Sequence, residues 1–229
     1  MKIKRKVNKD VKRLLIALLL GDGTISNNCV FKLCHSFDQK EYLIWKIQQL
    51  NRLGIKNNGL KSYVSSFGYN CGKEVVYTQL SIQPIIKVLR RVVYKPNKTI
   101  TKELLKWLDA KGLAIWFMDD GCININTSKQ RSSIQHTIKI ATCVDLKTVE
   151  LIITYFKEQW GISMRKFSEG NSFSIATSSE TDCKKFVSIV KPYIKEVPSL
   201  LYKIRNNFTK QEFIEMQARS AEHLEEVMI

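Results

Sequence analysis

The chain has 229 residues, 44% of them apolar and 25% charged, with 10 Gly and 4 Pro, which excludes a disordered or fibrous protein. Its length suits one large domain or two halves of about 100 residues, each able to bury a core. Lys and Arg outnumber Asp and Glu by 37 to 21, a formal +16 at pH 7, and a surface of that sign collects polyanions. The chain opens basic: Met1–Arg13 holds seven cations against Asp10 alone. The apolar run Leu14–Leu20 is far too short to span a bilayer. It meets Gly21-Asp22-Gly23 rather than a small-residue cleavage site, so no membrane partner and no signal peptide are read from it. Cys29, Cys34, Cys71, Cys122, Cys143 and Cys183 are scattered without a CxxC pair, and the histidines number 3. That argues against a zinc site and places the chain in a reducing, intracellular compartment.

In chain order, a Leu-rich helix ending at Gly21-Asp22-Gly23 is predicted first. Strands at Thr24–Asn28 and Lys32–Ser36 follow, then a helix capped by Asp38 and closed by Gly54. Leu60–Phe67 and Glu74–Ile82 read as a hairpin, Pro84–Tyr94 as a helix, and Asn97–Ile100 as a short apolar segment bearing Lys98. The same order then recurs. Gly112–Gly121 is a second apolar helix ending in Asp-Gly, and Gln130–Thr142 is strand. Asp145 caps a helix closed by Gly161, and Ile162–Ser168 with Ser172–Thr177 form a hairpin. Glu180–Tyr193 is a helix, and Leu201–Ile204 bears Lys203. Phe31–Ile55 follows the pattern of Ile138–Ile162 at an offset of 107, and Asp22 lies 98 residues before Asp120. The fold class is therefore α+β: two pseudo-symmetric α-β-β-α-β-β-α halves related by internal repetition. Expected bounds are 1–100 for the first half, 101–111 for a linker, 112–208 for the second half and 209–229 for an acidic C-terminal helix. The last twenty residues carry five acids against two cations, which leaves +19 over residues 1–209.

Helices apolar nearly all round are buried, and the small residues Ala17 and Gly21, four apart, let a partner helix approach closely. Were the two motif helices packed together, Asp22 and Asp120 would meet at one edge. Two such carboxylates repel unless a cation neutralises them. Mg²⁺ (or Mn²⁺) held by carboxylates beside a phosphate suits metal-assisted phosphodiester cleavage. Asp119 is a further metal candidate, although Gly21 is its counterpart in the first copy.

Leu15–Gly23 and Leu113–Gly121 resemble the motif of the LAGLIDADG homing endonucleases, in their single-chain form with two motifs. The resemblance covers essentially residues 10–208. It implies that Asp22 and Asp120 are the catalytic, metal-binding acids, with Gly21 and Asp119 beside them. It implies packed motif helices and two four-stranded antiparallel sheets forming a saddle for the DNA major groove over about 20 base pairs. The implied activity is site-specific double-strand DNA cleavage across the minor groove by an intron-encoded monomer, leaving short 3′ overhangs. By position, Lys98 and Lys203 correspond to the family's basic active-site residues, which stabilise the phosphate transition state or position water. Their spacings from the acids are 76 and 83 residues. Lys32, Lys61, Lys73, Arg131, Lys139, Arg165 and Lys166 are the strand-borne candidates for contact with double-stranded DNA. Trp45, Trp107, Trp116 and Trp160 are assigned to the core.

The sequence departs from the consensus at Leu20, Ile115 and Trp116. Ile115 lacks the small side chain of Ala17, so the helix contact cannot be symmetric. Alternatives on the same scaffold are a maturase binding intron RNA and a catalytically silent DNA-binding regulator; retention of both aspartates favours the nuclease. Splicing termini at Met1 and Ile229 are not recognised, which disfavours an intein. The Lys, Ile and Asn content suits an AT-rich organellar, phage or bacterial host.

Overall fold

A computed structural model describes residues 8–66, 71–81, 83–94, 97–127 and 134–207. The expected acidic helix 209–229, most of the basic N-terminal run, and Arg131 lie outside the described residues. The chain divides into two compact units, Met1–Asp119 and Asp120–Ile229. Among the described residues no helix is long and apolar enough to cross a membrane.

The first unit opens with α1, Lys9–Leu20, whose N-cap Asn8 accepts the Asp10 N–H at 2.8 Å. Every residue from Leu14 to Leu20 is buried. Each such Leu or Ile contributes about 1.5–3 kcal/mol relative to an exposed position. The helix stops where Gly23 N–H bonds back to Leu18 O at 2.8 Å. A Cβ on Gly23 would sit 2.3 Å from that carbonyl oxygen, so only glycine makes the turn. Four antiparallel strands follow in spatial order β1-β2-β4-β3: β1 Thr24–Ile25, β2 Phe31–Ser36, β3 Lys61–Val64 and β4 Glu74–Leu80. Period-two alternation in β2 turns Phe31, Leu33 and His35 to the buried side and Lys32, Cys34 and Ser36 to the other. Register places Lys32 opposite Gln79, and Cys34 opposite Tyr77, which in turn faces Lys61.

Helix α2, Lys40–Arg52, lies between β2 and β3 in sequence and buries Tyr42, Trp45, Lys46 and Gln49, the i, i+3, i+4, i+7 face. The expected Asp38 cap is not formed. Asp38 sits in a 3₁₀ turn, Phe37–Gln39, and α2 begins after it without a side-chain cap. Helix α3, Pro84–Val93, starts on proline and buries Ile85, Ile86, Leu89 and Val93. Residues 101–111 contain a helical turn, α4 Lys102–Leu105, capped by Thr101, and the first residues of α5, Ala110–Asp120. Asp109 accepts the Gly112 N–H at 2.8 Å and so fixes the start of α5.

α1 and α5 meet inside the first unit. A Cβ on Gly112 would lie 3.3 Å from the Ala17 Cβ, and one on Gly21 would lie 2.0 Å from Asp119 Oδ2. The contact is asymmetric, as Ile115 requires. The small residue that faces Ala17 is Gly112, nearly one turn earlier, and Gly21 faces a carboxylate rather than a small residue.

The second unit repeats the strand order as β5-β6-β8-β7: β5 Gly121–Thr127, β6 Ile134–Val144, β7 Met164–Glu169 and β8 Ser172–Thr177. Helix α6, Leu146–Tyr155, is capped as expected: Asp145 accepts the Thr148 N–H at 2.9 Å. A π-helical turn, Phe156–Trp160, extends it to Gly161 in the left-handed conformation. Gly170-Asn171 joins β7 to β8, and α7, Glu180–Ile194, is capped by Ser179. Of the four tryptophans assigned to the core, Trp45 and Trp116 are buried. Trp107 and Trp160 are half-buried instead, Trp107 beneath the Lys12 ammonium and Trp160 donating to Tyr155 Oη.

A Gly21→Ala substitution would force its methyl into a carboxylate that cannot retreat. It is expected to destabilise the protein by about 2 kcal/mol, the scale of overpacking, measured by chemical denaturation against the unsubstituted chain.

Candidate metal and phosphate site

The C-terminal ends of the motif helices carry the acids. Asp22 follows α1, and its side chain is 41% exposed. Its backbone N–H donates to Asp119 Oδ2 at 3.0 Å, tying the end of α1 to the end of α5. The Asp119 side chain is wholly buried and forms an ion pair with the equally buried Lys46, Nζ to Oδ1 2.6 Å. Burial pushes the Asp119 carboxyl up. The Lys46 charge, the neighbouring His35, the Lys46 hydrogen bond and the Asp22 N–H pull it down, and the net direction is below the ordinary carboxylate value. Lys46 also meets His35 Nε2 at 3.0 Å and the Tyr42 ring at 4.2 Å. Tyr42 in turn donates its hydroxyl to Ile115 O at 3.3 Å.

Asp22, His35 and Asp119 bring ligand atoms within 4.8 Å of one another, and the donor set tests whether they suit a divalent cation. Both Asp119 oxygens are engaged, one by an ammonium and one by a backbone N–H, and His35 Nε2 faces the same ammonium. Asp119 and His35 are thus already turned toward the Lys46 ammonium. Asp22 is different: a partly exposed carboxylate at the chain turn, with the hard oxygen donors that Mg²⁺ prefers, fits the ion. Asp120, the last residue of α5 and first of the second unit, offers the same chemistry and is half-buried.

The lysines chosen by position both reach motif glycines. Lys98 Nζ donates to Gly21 O at 2.6 Å in the first unit, and Lys203 Nζ donates to Gly121 O at 2.9 Å in the second. Lys203 is only 8% exposed, so it is no ordinary surface lysine. The two glycines are not equivalent, one preceding its acid and the other following it.

The strand-borne cations sort by face. Lys32 Nζ lies over the rings of Tyr63 and Tyr77, 4.8 and 4.7 Å from their centroids. Lys139 lies 3.8 Å from the Phe167 ring and 3.4 Å from Glu169 Oε1. Lys61 and Arg165 share those faces, and Lys73 is exposed beside the β3–β4 turn. Lys166 has the opposite register, across from buried Ile175, and pairs with Glu150 of α6 at 2.9 Å. His35 and Lys46 were not singled out in the sequence. The available signal was a lysine four residues after Tyr42 on the apolar face of α2.

A model of the LAGLIDADG DNA endonuclease family matches residues 12–186. The chain belongs to that family. Among curated relatives, Protein RecA of Mycobacterium shimoidei is 28% identical over 216 residues, covering 86% of this chain and 46% of that protein. Protein RecA of Mycobacterium leprae is 27% identical over 212 residues, covering 86% of this chain and 28% of that protein. The chain thus spans about half the length, or less, of these relatives. The homing endonuclease I-WcaI, solved bound to its DNA recognition sequence, shares the fold at a TM-score of 0.71 and 18% identity, over 86% of this chain and 87% of that one.

Lys46→Met leaves the buried Asp119 carboxylate uncompensated and is expected to cost about 3–5 kcal/mol, measured by urea denaturation. Adding Asp119→Asn removes the charge, keeps an acceptor for the Asp22 N–H, and should restore most of that loss. Because the folded carboxyl lies below its unfolded value, its contribution is complete above the unfolded pKa and disappears as pH falls through the folded one. The double variant should lose that acid-side component in a denaturation series run down through the carboxylate range.

Proposed function

We propose that the protein is a site-specific endonuclease that hydrolyses one phosphodiester bond in each strand of duplex DNA, using divalent metal and leaving short 3′ overhangs. It is read as an intron-encoded enzyme that acts as a monomer, since one chain carries both motifs. The observation that carries the reading is a lysine at each motif glycine: Lys98 donates to the Gly21 carbonyl next to Asp22, and Lys203 to the Gly121 carbonyl next to Asp120.

Asp22 and Asp120 each supply one carboxylate for Mg²⁺ or Mn²⁺, and a bound ion would lower the pKa of its water and polarise the scissile phosphate. Lys98 and Lys203 are fixed within one residue of each acid, where they offset charge that develops on the phosphate oxygens. Asp119 has a structural role in this reading: with Lys46 it sets where Asp22 emerges from α1. Lys32, Lys61, Lys139 and Arg165 share the sheet faces turned away from the buried side, and they supply phosphate contacts and reach base edges in the major groove. The aromatic rings against Lys32 and Lys139 restrict those side chains and reduce the entropy lost when they bind.

Asp22→Asn and Asp120→Asn are each expected to abolish double-strand cleavage while leaving DNA affinity within a few-fold. The site for that assay comes from selecting cleaved sequences out of a random DNA library with Mg²⁺. Lys98→Met and Lys203→Met should slow cleavage about a hundredfold. Double-strand cutting that survives both aspartate substitutions would refute the nuclease reading. In a salt titration, Lys32→Ala and Lys139→Ala should each lower the slope of log affinity against log salt by about 1.

A further inference from the structure

The open face of the second sheet carries an acid among its cations. Across the described strands β5 to β8, Glu169 is the single carboxylate. It alternates onto one face with Arg165 and Phe167, and that face also bears Lys139, which stands across Ala176 from Arg165. The Lys139 and Glu169 side chains are 32% and 35% exposed, so both reach solvent. The carboxylate is nonetheless held in place. Strand β6 bulges: between the pairs Ile140–Ile175 and Val144–Phe173, Ala141, Thr142 and Cys143 stand opposite Ser174 alone. The Thr142 and Cys143 N–H groups both donate to Ser174 Oγ, at 3.2 and 3.5 Å. With its oxygen accepting from these two, the wholly buried Ser174 hydroxyl donates to Glu169 Oε2 at 2.7 Å. Lys139 Nζ stands 3.4 Å from the other oxygen, Oε1. The Ser174 hydrogen bond, aided by Lys139, holds the carboxyl below its ordinary value against partial burial, so it is ionised at neutral pH.

An anion on a face that meets DNA repels phosphate, and what it can bind there is a base. In the major groove the donors are cytosine N4 and adenine N6. Each is hydrogen-bonded to an acceptor of the paired base, which therefore lies about 3 Å away. Glu169 Oε1 and Lys139 Nζ, 3.4 Å apart, present the complementary acceptor and donor. Beside the cytosine amine, guanine offers the ammonium two acceptors, O6 and N7, and the ammonium has three N–H groups to use. An A·T pair offers it one acceptor on either side of the amine, and the one on thymine lies next to a methyl group.

We propose that Glu169 and Lys139 together read one C·G base pair in the part of the DNA site bound by the second unit. Glu169 accepts from cytosine N4, and Lys139 donates to the guanine paired with it. The proposal rests on the DNA-binding part of the nuclease reading and not on cleavage.

The test is selection of duplexes by binding from a random library, with the full chain and without Mg²⁺. In Glu169→Gln the amide oxygen keeps the Ser174 bond, and an NH₂ group takes the place of the free acceptor. Packing and melting temperature should be unchanged, while the preference for C·G at one position falls about tenfold or more and the other positions keep theirs. Lys139→Ala should weaken selection at the same base pair. Glu169→Ala should lose the same preference without losing affinity for random duplex, since an anion has been removed. Base preferences in Glu169→Gln identical to those of the unsubstituted chain would overturn the proposal, as would a preference at the affected position for any pair other than C·G. Failure to select any duplex would remove DNA binding and this proposal with it. A shift at one C·G pair in a chain that never cuts DNA would remove the nuclease chemistry and leave this proposal standing.

Discussion

The buried ion pair between Lys46 and Asp119 is the interaction on which the first unit's architecture turns. Both side chains are withdrawn from water, and neither could remain there alone. Lys46 comes from α2 and Asp119 from the end of α5, and the other oxygen of Asp119 accepts the N–H of Asp22 beyond α1. One carboxylate thus ties the ends of α1 and α5 to the middle of α2. Gly21 is glycine because Asp119 occupies the space its Cβ would need. The low carboxyl pKa of Asp119 follows from the same contacts that place it.

That constraint separates two neighbouring acids. Asp119 and Asp120 are adjacent in sequence, yet Asp119 is spent on holding helices together. Asp120, half-buried at the end of α5, is the acid that matches Asp22 of the first motif. What a carboxylate does is set by its burial and its partners, not by residue type. The sheets behave similarly: Arg165 and Lys166 differ by one position, but a strand's period of two sends one to the face shared with Lys139 and the other to Glu150.

The strand order repeats in both units, while the polar contacts of the two copies differ. His35 and Lys46 occur in the first unit, while Thr142 and Ile153 take those places in the second. Lys98 reaches the glycine before its acid, and Lys203 the glycine after. A duplicated fold can keep its core pattern while its polar contacts diverge, since apolar packing tolerates exchange and hydrogen bonds depend on particular atoms.

By itself the sequence determined the α+β class, the internal repeat, the Asp145 cap and both motif helices. Each is written in local periodicity or in residues that terminate a helix. The family resemblance also pointed to Lys98 and Lys203 by position. Tertiary structure alone decided that Asp38 is not a cap, that Gly112 rather than residue 115 makes the close helix contact, and that Lys166 pairs with a helix. It alone brought His35, Lys46 and Asp119 together. The physical reason is distance along the chain: His35 and Lys46 are 11 and 73 residues from their partners Lys46 and Asp119. A buried charge is stable only when such a partner arrives by folding. A lysine on an apolar helix face announces that a partner exists. Which acid it is depends on how the helices cross.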